Sequence, residues 1–196
     1  QAKLGGAHLG GRLSFWRYGN CVAIACSNCS PEQAKRRKRP NFGSSPAHPT
    51  PPSMAAQIFL YVGTNTHRSV SGVYRARFDS DRGELGPLEL AAETPQPGFL
   101  SLHPDRRHLY AIGNSGLPDD QAGFVAAYSI APAGGHLTPI DRQPTGTANP
   151  VHLTVSRDGR MLLVASYAGA AATSFPLDVH GAPGAHGEIF RFNGAS

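Results

Sequence analysis

The sequence predicts an all-β chain, a partial β-propeller of about three four-stranded blades, preceded by a disordered N-terminal segment. Three observations carry this prediction. The stretch from Pro97 to Ile112 recurs as Pro150 to Ala165, each copy reading as an apolar run, a polar turn centred on Asp105 or Asp158, and a second apolar run. A second pair, Val73 to Leu85 and Val125 to Leu137, repeats at nearly the same spacing. A period of roughly 50 residues made of strands and turns is that of one blade per repeat. Finally, nothing after residue 54 sustains the 3.6-residue period of a helix, whereas alternation with period two is frequent.

The strands follow in order. Residues 58–63 form a β-rich run ending in the turn cluster Gly63-Thr64-Asn65-Thr66. In 72–78, Val73, Arg75 and Arg77 alternate with Tyr74, Ala76 and Phe78, and Asp79-Ser80-Asp81-Arg82-Gly83 supplies a hairpin turn before a strand over 85–92. The next unit is expected over 99–103, 109–112, 124–130 and 137–142, and the third over 151–155, 161–166, 170–177 and, more weakly, 188–192. The innermost strands of the second and third blades should be 99–103 and 151–155. Phe99 and His152 are then the first side chains of those strands, each following a proline-containing loop. That places them at the mouth of the central channel, where propellers commonly hold ligands.

Composition divides the chain near Met54. Residues 1–53 carry eight basic side chains against the single acid Glu32, together with all three cysteines and the one tryptophan. The remainder has ten arginines, no lysine and twelve acids. The overall charge of +5 thus belongs to the leading segment and does not mark the folded part as a nucleic-acid binder. With its Gly clusters and the Ser44–Pro52 stretch of Ser, Pro and Thr, 1–53 should stay disordered, with Met54 the natural start and 54–196 the propeller domain. The x4 and x2 spacings of Cys21, Cys26 and Cys29 resemble an iron–sulfur set, but the fourth ligand is missing, and they are read as coincidence. Lys35 to Arg39 is read as a solvated charge run. No apolar run reaches the ~20 residues of a membrane-spanning helix, and 58–62 is too short for a secretory core, so the expectation is a cytoplasmic protein without membrane contact.

Several motifs taken together resemble the seven-bladed β-propeller lactonase family. They are Tyr61-Val62-Gly63-Thr64-Asn65-Thr66, Ser71-Gly72-Val73-Tyr74, Leu90-Ala91-Ala92-Glu93, Phe99-Leu100-Ser101-Leu102-His103-Pro104 and Pro150-Val151-His152-Leu153-Thr154-Val155, in the family's order. Val164-Ala165-Ser166-Tyr167-Ala168-Gly169 resembles the family's Val-Ala-Asn-Tyr-x-Gly element, with Ser166 in place of Asn. The resemblance spans about 57–192 and implies hydrolysis of a sugar lactone, foremost 6-phosphogluconolactone in the oxidative pentose phosphate route. The family is also similar to a fungal carboxymuconate cyclase. Seven blades need roughly 350 residues, so this stretch is expected to be a fragment of about three blades, inactive alone and prone to self-association through its open ends. A carboxylate common in the family after the second strand of this blade is absent at Gly113-Asn114. That departure leaves open a propeller that only binds a small molecule or a protein, as well as a cyclase.

Lactone hydrolysis needs a group to activate water and donors for the developing oxyanion. His152 is the candidate base or proton donor, against the plainer reading of a histidine tying down a loop. The phosphate of the substrate needs Arg, Lys or backbone amides. His67 and Arg68, in the loop after Thr64, are the substrate-binding candidates. Arg106, Arg107, Arg157 and Arg160 belong to turns on the opposite rim and are expected to be solvated. His180 and His186 flank a Gly-Ala-Pro-Gly-Ala loop and should be exposed. No Asp or His grouping shows metal-ligand spacing, and no Gly-x-Ser-x-Gly or Walker-type loop occurs. No metal and no cofactor are expected.

Overall fold

The computed structural model describes the backbone of 22–27 and residues 58–64, 72–79, 82–114, 122–168 and 170–193. Among these there is no helix, and every strand pairing is antiparallel. The first sheet holds β1 (Val22–Ser27), β2 (Ile58–Thr64), β3 (Gly72–Asp79), β4 (Glu84–Leu85) and β5 (Glu89–Glu93), with β4 and β5 both on the free side of β3. The second runs β6 (Phe99–Leu102), β7 (His108–Asn114), β8 (Ala122–Ile130) and β9 (Leu137–Ala148) in chain order. The third repeats that order with β10 (Pro150–Val155), β11 (Met161–Ser166), β12 (Ala171–Pro176) and β13 (Ile189–Arg191). The first strand of the second sheet lies beside β1 on one side and β10 on the other. These three strands therefore line the inner edge of three consecutive blades.

Period-two alternation explains the stacking. Successive side chains of a strand point to opposite faces, and both faces of the middle blade are buried. Leu109, Ala111, Phe124, Ala126 and Tyr128 turn toward the first blade and meet Phe59, Tyr61 and Val73. Tyr110, Ile112, Val125 and Ala127 turn the other way and meet Leu153, Leu162, Val164 and Phe175 of the third. A buried tyrosine also crosses each boundary with its hydroxyl. Tyr61 Oη donates to the Gly135 carbonyl at 2.7 Å, and Tyr110 Oη to the Gly181 carbonyl at 3.0 Å. Both acceptors are glycines with positive φ, 66° and 78°. A Cβ at Gly135 would stand 2.9 Å from the Tyr61 hydroxyl, and one at Gly181 2.6 Å from the His108 ring. Only glycine lets the neighbouring turn come so close.

Four expectations need correction. The leading segment was read as unstructured and outside the fold, yet the backbone of Val22–Ser27 pairs with β2 from Val22↔Thr64 to Ser27↔Phe59 and takes the inner position of the first blade. The signal lay in Val22-Ala23-Ile24-Ala25, a β-rich run too short to stand out inside a polar segment. The remaining residues of 1–53 lie outside the described ones. The strand expected over 85–92 is two short strands interrupted by Gly86-Pro87-Leu88, because Pro87 cannot donate to the ladder. The strand expected over 137–142 runs on to Ala148 through Pro144 and Gly146. These residues look like breakers, but an outermost strand can omit a donor on its free side. The last strand is shorter than 188–192, covering Ile189–Arg191.

Candidate functional site

His152 is exposed and is the third residue of β10, where a bulge between Pro150 and His152 shifts the register against β11. Its ring lies 4.5 Å from that of Phe99, centroid to centroid and tilted by 51°. Phe99, the first residue of β6, and His152, the third of β10, thus meet near neighbouring ends of adjacent inner strands. Among the described residues His152 makes this ring contact and is otherwise open to solvent. An imidazole so placed can accept a proton from water or give one to a leaving oxygen.

The support behind His152 is a buried network of hydroxyls. Thr147 Oγ1 and Ser166 Oγ share a hydrogen bond of 2.6 Å, Thr145 Oγ1 donates to the Thr147 carbonyl at 2.8 Å, and Thr173 Oγ1 donates to the Thr145 carbonyl at 3.2 Å. These bonds tie the end of the second blade to the third just before the Asn149-Pro150 loop. Ser166, standing where the family element has Asn, is thus a buried structural partner of Thr147. Asn149 has φ of 52°, and its carbonyl accepts from the Tyr167 N–H at 2.9 Å. Gly123 packs directly under the Pro150 ring, where a Cβ would collide.

Tyr167 follows Ser166, which pairs with Pro150, and its side chain is 76% exposed. It stands at the same rim as His152 and was not singled out from the sequence. Its place in the Val-Ala-Ser-Tyr element was visible; its exposure was not. Asn114 also ends its strand at this rim and is part-buried. His67 and Arg68, the substrate-binding candidates, lie outside the described residues.

The four turn arginines fall on the other rim, as expected. Arg106, Arg107, Arg157 and Arg160 are exposed in the two Asp-centred turns. Asp158 accepts from Ser156 Oγ at 2.6 Å and from the Arg160 N–H, which hold its carboxyl below the usual carboxylate range. A cleft of about 320 Å³ lies between the first two blades, lined by Phe59, Arg75, Glu89, Gly134 and His136 among others. None of its lining comes from the inner strands. Of its two arginines, Arg75 is engaged by Glu89 at 2.7 Å and by the Gly134 carbonyl, and Arg77 is exposed.

One Asp and His grouping, in which the sequence shows no metal-ligand spacing, comes together in space. His103, Asp105 and His108 meet across the β6–β7 turn, with Asp105 Oδ1 2.9 Å from His103 Nδ1 and Asp105 Oδ2 3.0 Å from His108 Nδ1. The hairpin closes through the His103 N–H bonding the His108 carbonyl at 3.0 Å, which brings the first and sixth residues of His-Pro-Asp-Arg-Arg-His together. The signal was that hexapeptide, whose spacing converges only when a tight turn folds it.

Comparison with known proteins agrees with this architecture. Residues 59–196 match the family model described as "Lactonase, 7-bladed beta-propeller". A 6-phosphogluconolactonase of Bacillus subtilis is 30% identical over 121 residues, which is 62% of this chain and 34% of that protein. Among solved structures, a candidate 6-phosphogluconolactonase of Bacteroides fragilis superposes with a TM-score of 0.65 at 29% identity, covering 74% of this chain and 39% of that one. The Pseudomonas aeruginosa periplasmic gluconolactonase PpgL superposes with a TM-score of 0.61 at 30% identity, over 67% of this chain and 38% of that one. The chain thus spans little more than a third of the length of the relatives it matches.

Proposed function

The chain belongs to the seven-bladed β-propeller lactonase family, and from that premise we propose that the whole protein hydrolyses a sugar lactone, with 6-phosphogluconolactone as substrate. The observation that carries the reading is His152, an exposed imidazole at the end of an inner strand, set against Phe99. In the proposed reaction a water loses a proton to His152 as its oxygen attacks the lactone carbonyl. The acyl–oxygen bond of the ring then breaks, and the ring oxygen takes up a proton to become a hydroxyl, leaving the open-chain acid. Phe99 and Tyr167 offer apolar faces to the sugar ring at the same rim. Arg68 is the cation assigned to the phosphate, because the described arginines of the Asp-centred turns face the other rim. A phosphorylated substrate is an intracellular metabolite, so the reading carries a cytoplasmic location and a place in the oxidative pentose phosphate route.

A second reading is hydrolysis of an unphosphorylated gluconolactone. It is favoured by the likeness to the Pseudomonas aeruginosa gluconolactonase. The deciding experiment measures ring opening of 6-phosphogluconolactone and of glucono-δ-lactone by the full-length protein above the spontaneous rate. Preference for the phosphorylated lactone supports the first reading, and equal or reversed preference supports the second. No acceleration with either leaves a propeller that only binds.

A further inference from the structure

We propose that the turn joining β6 to β7 is a binding site for a divalent transition metal of the zinc class, held by His103 Nδ1, His108 Nδ1 and a carboxylate oxygen of Asp105. The three candidate ligand atoms lie within 4.8 Å of one another. Asp105 reaches the two imidazoles with its two oxygens, Oδ1 at 2.9 Å from His103 Nδ1 and Oδ2 at 3.0 Å from His108 Nδ1, a few tenths of an ångström closer than the ~3.4 Å between neighbouring ligands of a tetrahedral ion with bonds of about 2.0–2.2 Å, so the turn widens slightly as the ion enters.

The tautomer of His103 is the stronger observation. Its Nε2 lies 2.9 Å from the Gly159 carbonyl, which can only accept, so Nε2 carries the proton. In the neutral ring Nδ1 is then an acceptor, taking the Asp105 N–H at 3.2 Å. Asp105 Oδ1 lies 2.9 Å from the same nitrogen, so a carboxylate oxygen and a ring lone pair face one another, and a cation shared between them would replace the N–H bond. A ring nitrogen donating to a backbone carbonyl while the other faces a ligand set is also the outer-shell arrangement that orients metal-binding histidines.

The rings are held before any ion arrives. Both are largely buried, with side-chain exposures of 16% for His103 and 14% for His108. His103 packs on Gly159 and His108 on Gly181, two positive-φ glycines of the third blade. Two imidazoles and one carboxylate suit zinc, copper or nickel, whereas calcium and magnesium require a shell of oxygens. Three protein ligands leave one position for water. The site stands at the end of β6 away from Phe99, about 13 Å along a four-residue strand, so it is remote from His152. Its role is to fix the β6–β7 turn, whose two rings pack on the third blade.

The test uses the full-length protein without an affinity tag, stripped with a chelator and titrated with Zn²⁺ by calorimetry and with Co²⁺ by visible absorption. Wild type should bind Zn²⁺ with micromolar or tighter affinity, show the d–d bands of a low-coordinate cobalt site, and unfold at higher temperature when loaded. His103→Gln and His108→Gln should each weaken binding beyond the ~10–100-fold typical of losing an outer-shell partner, while His180→Gln should leave it unchanged. The cobalt spectrum and the thermal shift are read on wild type and stand even where a variant folds poorly. Equal Zn²⁺ affinity in wild type and the His103→Gln/His108→Gln double variant overturns the proposal. So does a wild type without cobalt bands or thermal shift, which would leave a turn held by its own hydrogen bonds.

Discussion

Replacing Tyr110 by Phe tests how the blades are joined. Tyr110 is fully buried, and its hydroxyl donates across the boundary between the second and third blades to the Gly181 carbonyl at 3.0 Å. Phe keeps the ring and its contacts with Ile112, Leu162 and the rest of that cluster, so little cavity cost arises. What is lost is one neutral hydrogen bond, and what remains is a desolvated carbonyl. The first contributes ~1 kcal/mol net and the second adds to it, so the cost should be about 1–2 kcal/mol. Truncation to Ala would instead cost about 3–5 kcal/mol through the void it leaves. Urea denaturation reads the difference: with a slope of ~2 kcal/mol/M, the midpoint should fall by about 0.5–1 M at unchanged slope. Tyr61→Phe removes the same contact at the earlier boundary and should behave alike. Because the two bonds share no partner, the double variant should be near-additive. Midpoints unchanged in both single variants would show that the hydroxyls do not join the blades.

Burial raises the Tyr110 phenol above its ordinary value of 10.0, so the folded state resists its ionisation. The associated stability is fully present below about pH 10 and is lost as pH rises beyond it; Tyr110→Phe should therefore flatten the alkaline fall in a stability-versus-pH series. Gly123→Ala would drive a Cβ into the Pro150 ring, and overpacking of this kind costs roughly 1–3 kcal/mol. A lowered melting temperature with reduced turnover is expected, because Pro150 leads directly to His152. His152→Gln in the full-length protein should cut lactone turnover by about 10²–10⁴-fold with little change in melting temperature; wild-type turnover would remove His152 from the chemistry. Residues 1–196 made alone should self-associate, since Leu163, Phe190 and Phe192 are 47%, 54% and 66% exposed on the third blade. A monodisperse monomer in analytical ultracentrifugation would refute that.

What the sequence determined by itself was local and periodic. Alternation along 109–112 and 124–130 sufficed for strands buried on both faces, and the recurrence of Pro97–Ile112 at Pro150–Ala165 sufficed for stacked blades. Phe99 and His152 were placed at one rim for the same reason, since their positions follow from strand direction alone. The tertiary structure decided whatever depends on two distant segments meeting. Whether Val22–Ser27 joined the first sheet depended on the free edge of β2, more than thirty residues along the chain. That Pro144 and Gly146 continue a strand depended on β9 being outermost. Ser166 became a partner of Thr147, and Tyr110 of Gly181, only because one blade lies on the next. His103, Asp105 and His108 converged because a tight turn closed between β6 and β7 and two glycines of another blade braced the rings. A strand's pattern is written in its neighbours along the chain, whereas a site's geometry is set by neighbours across space, which no spacing in the sequence encodes.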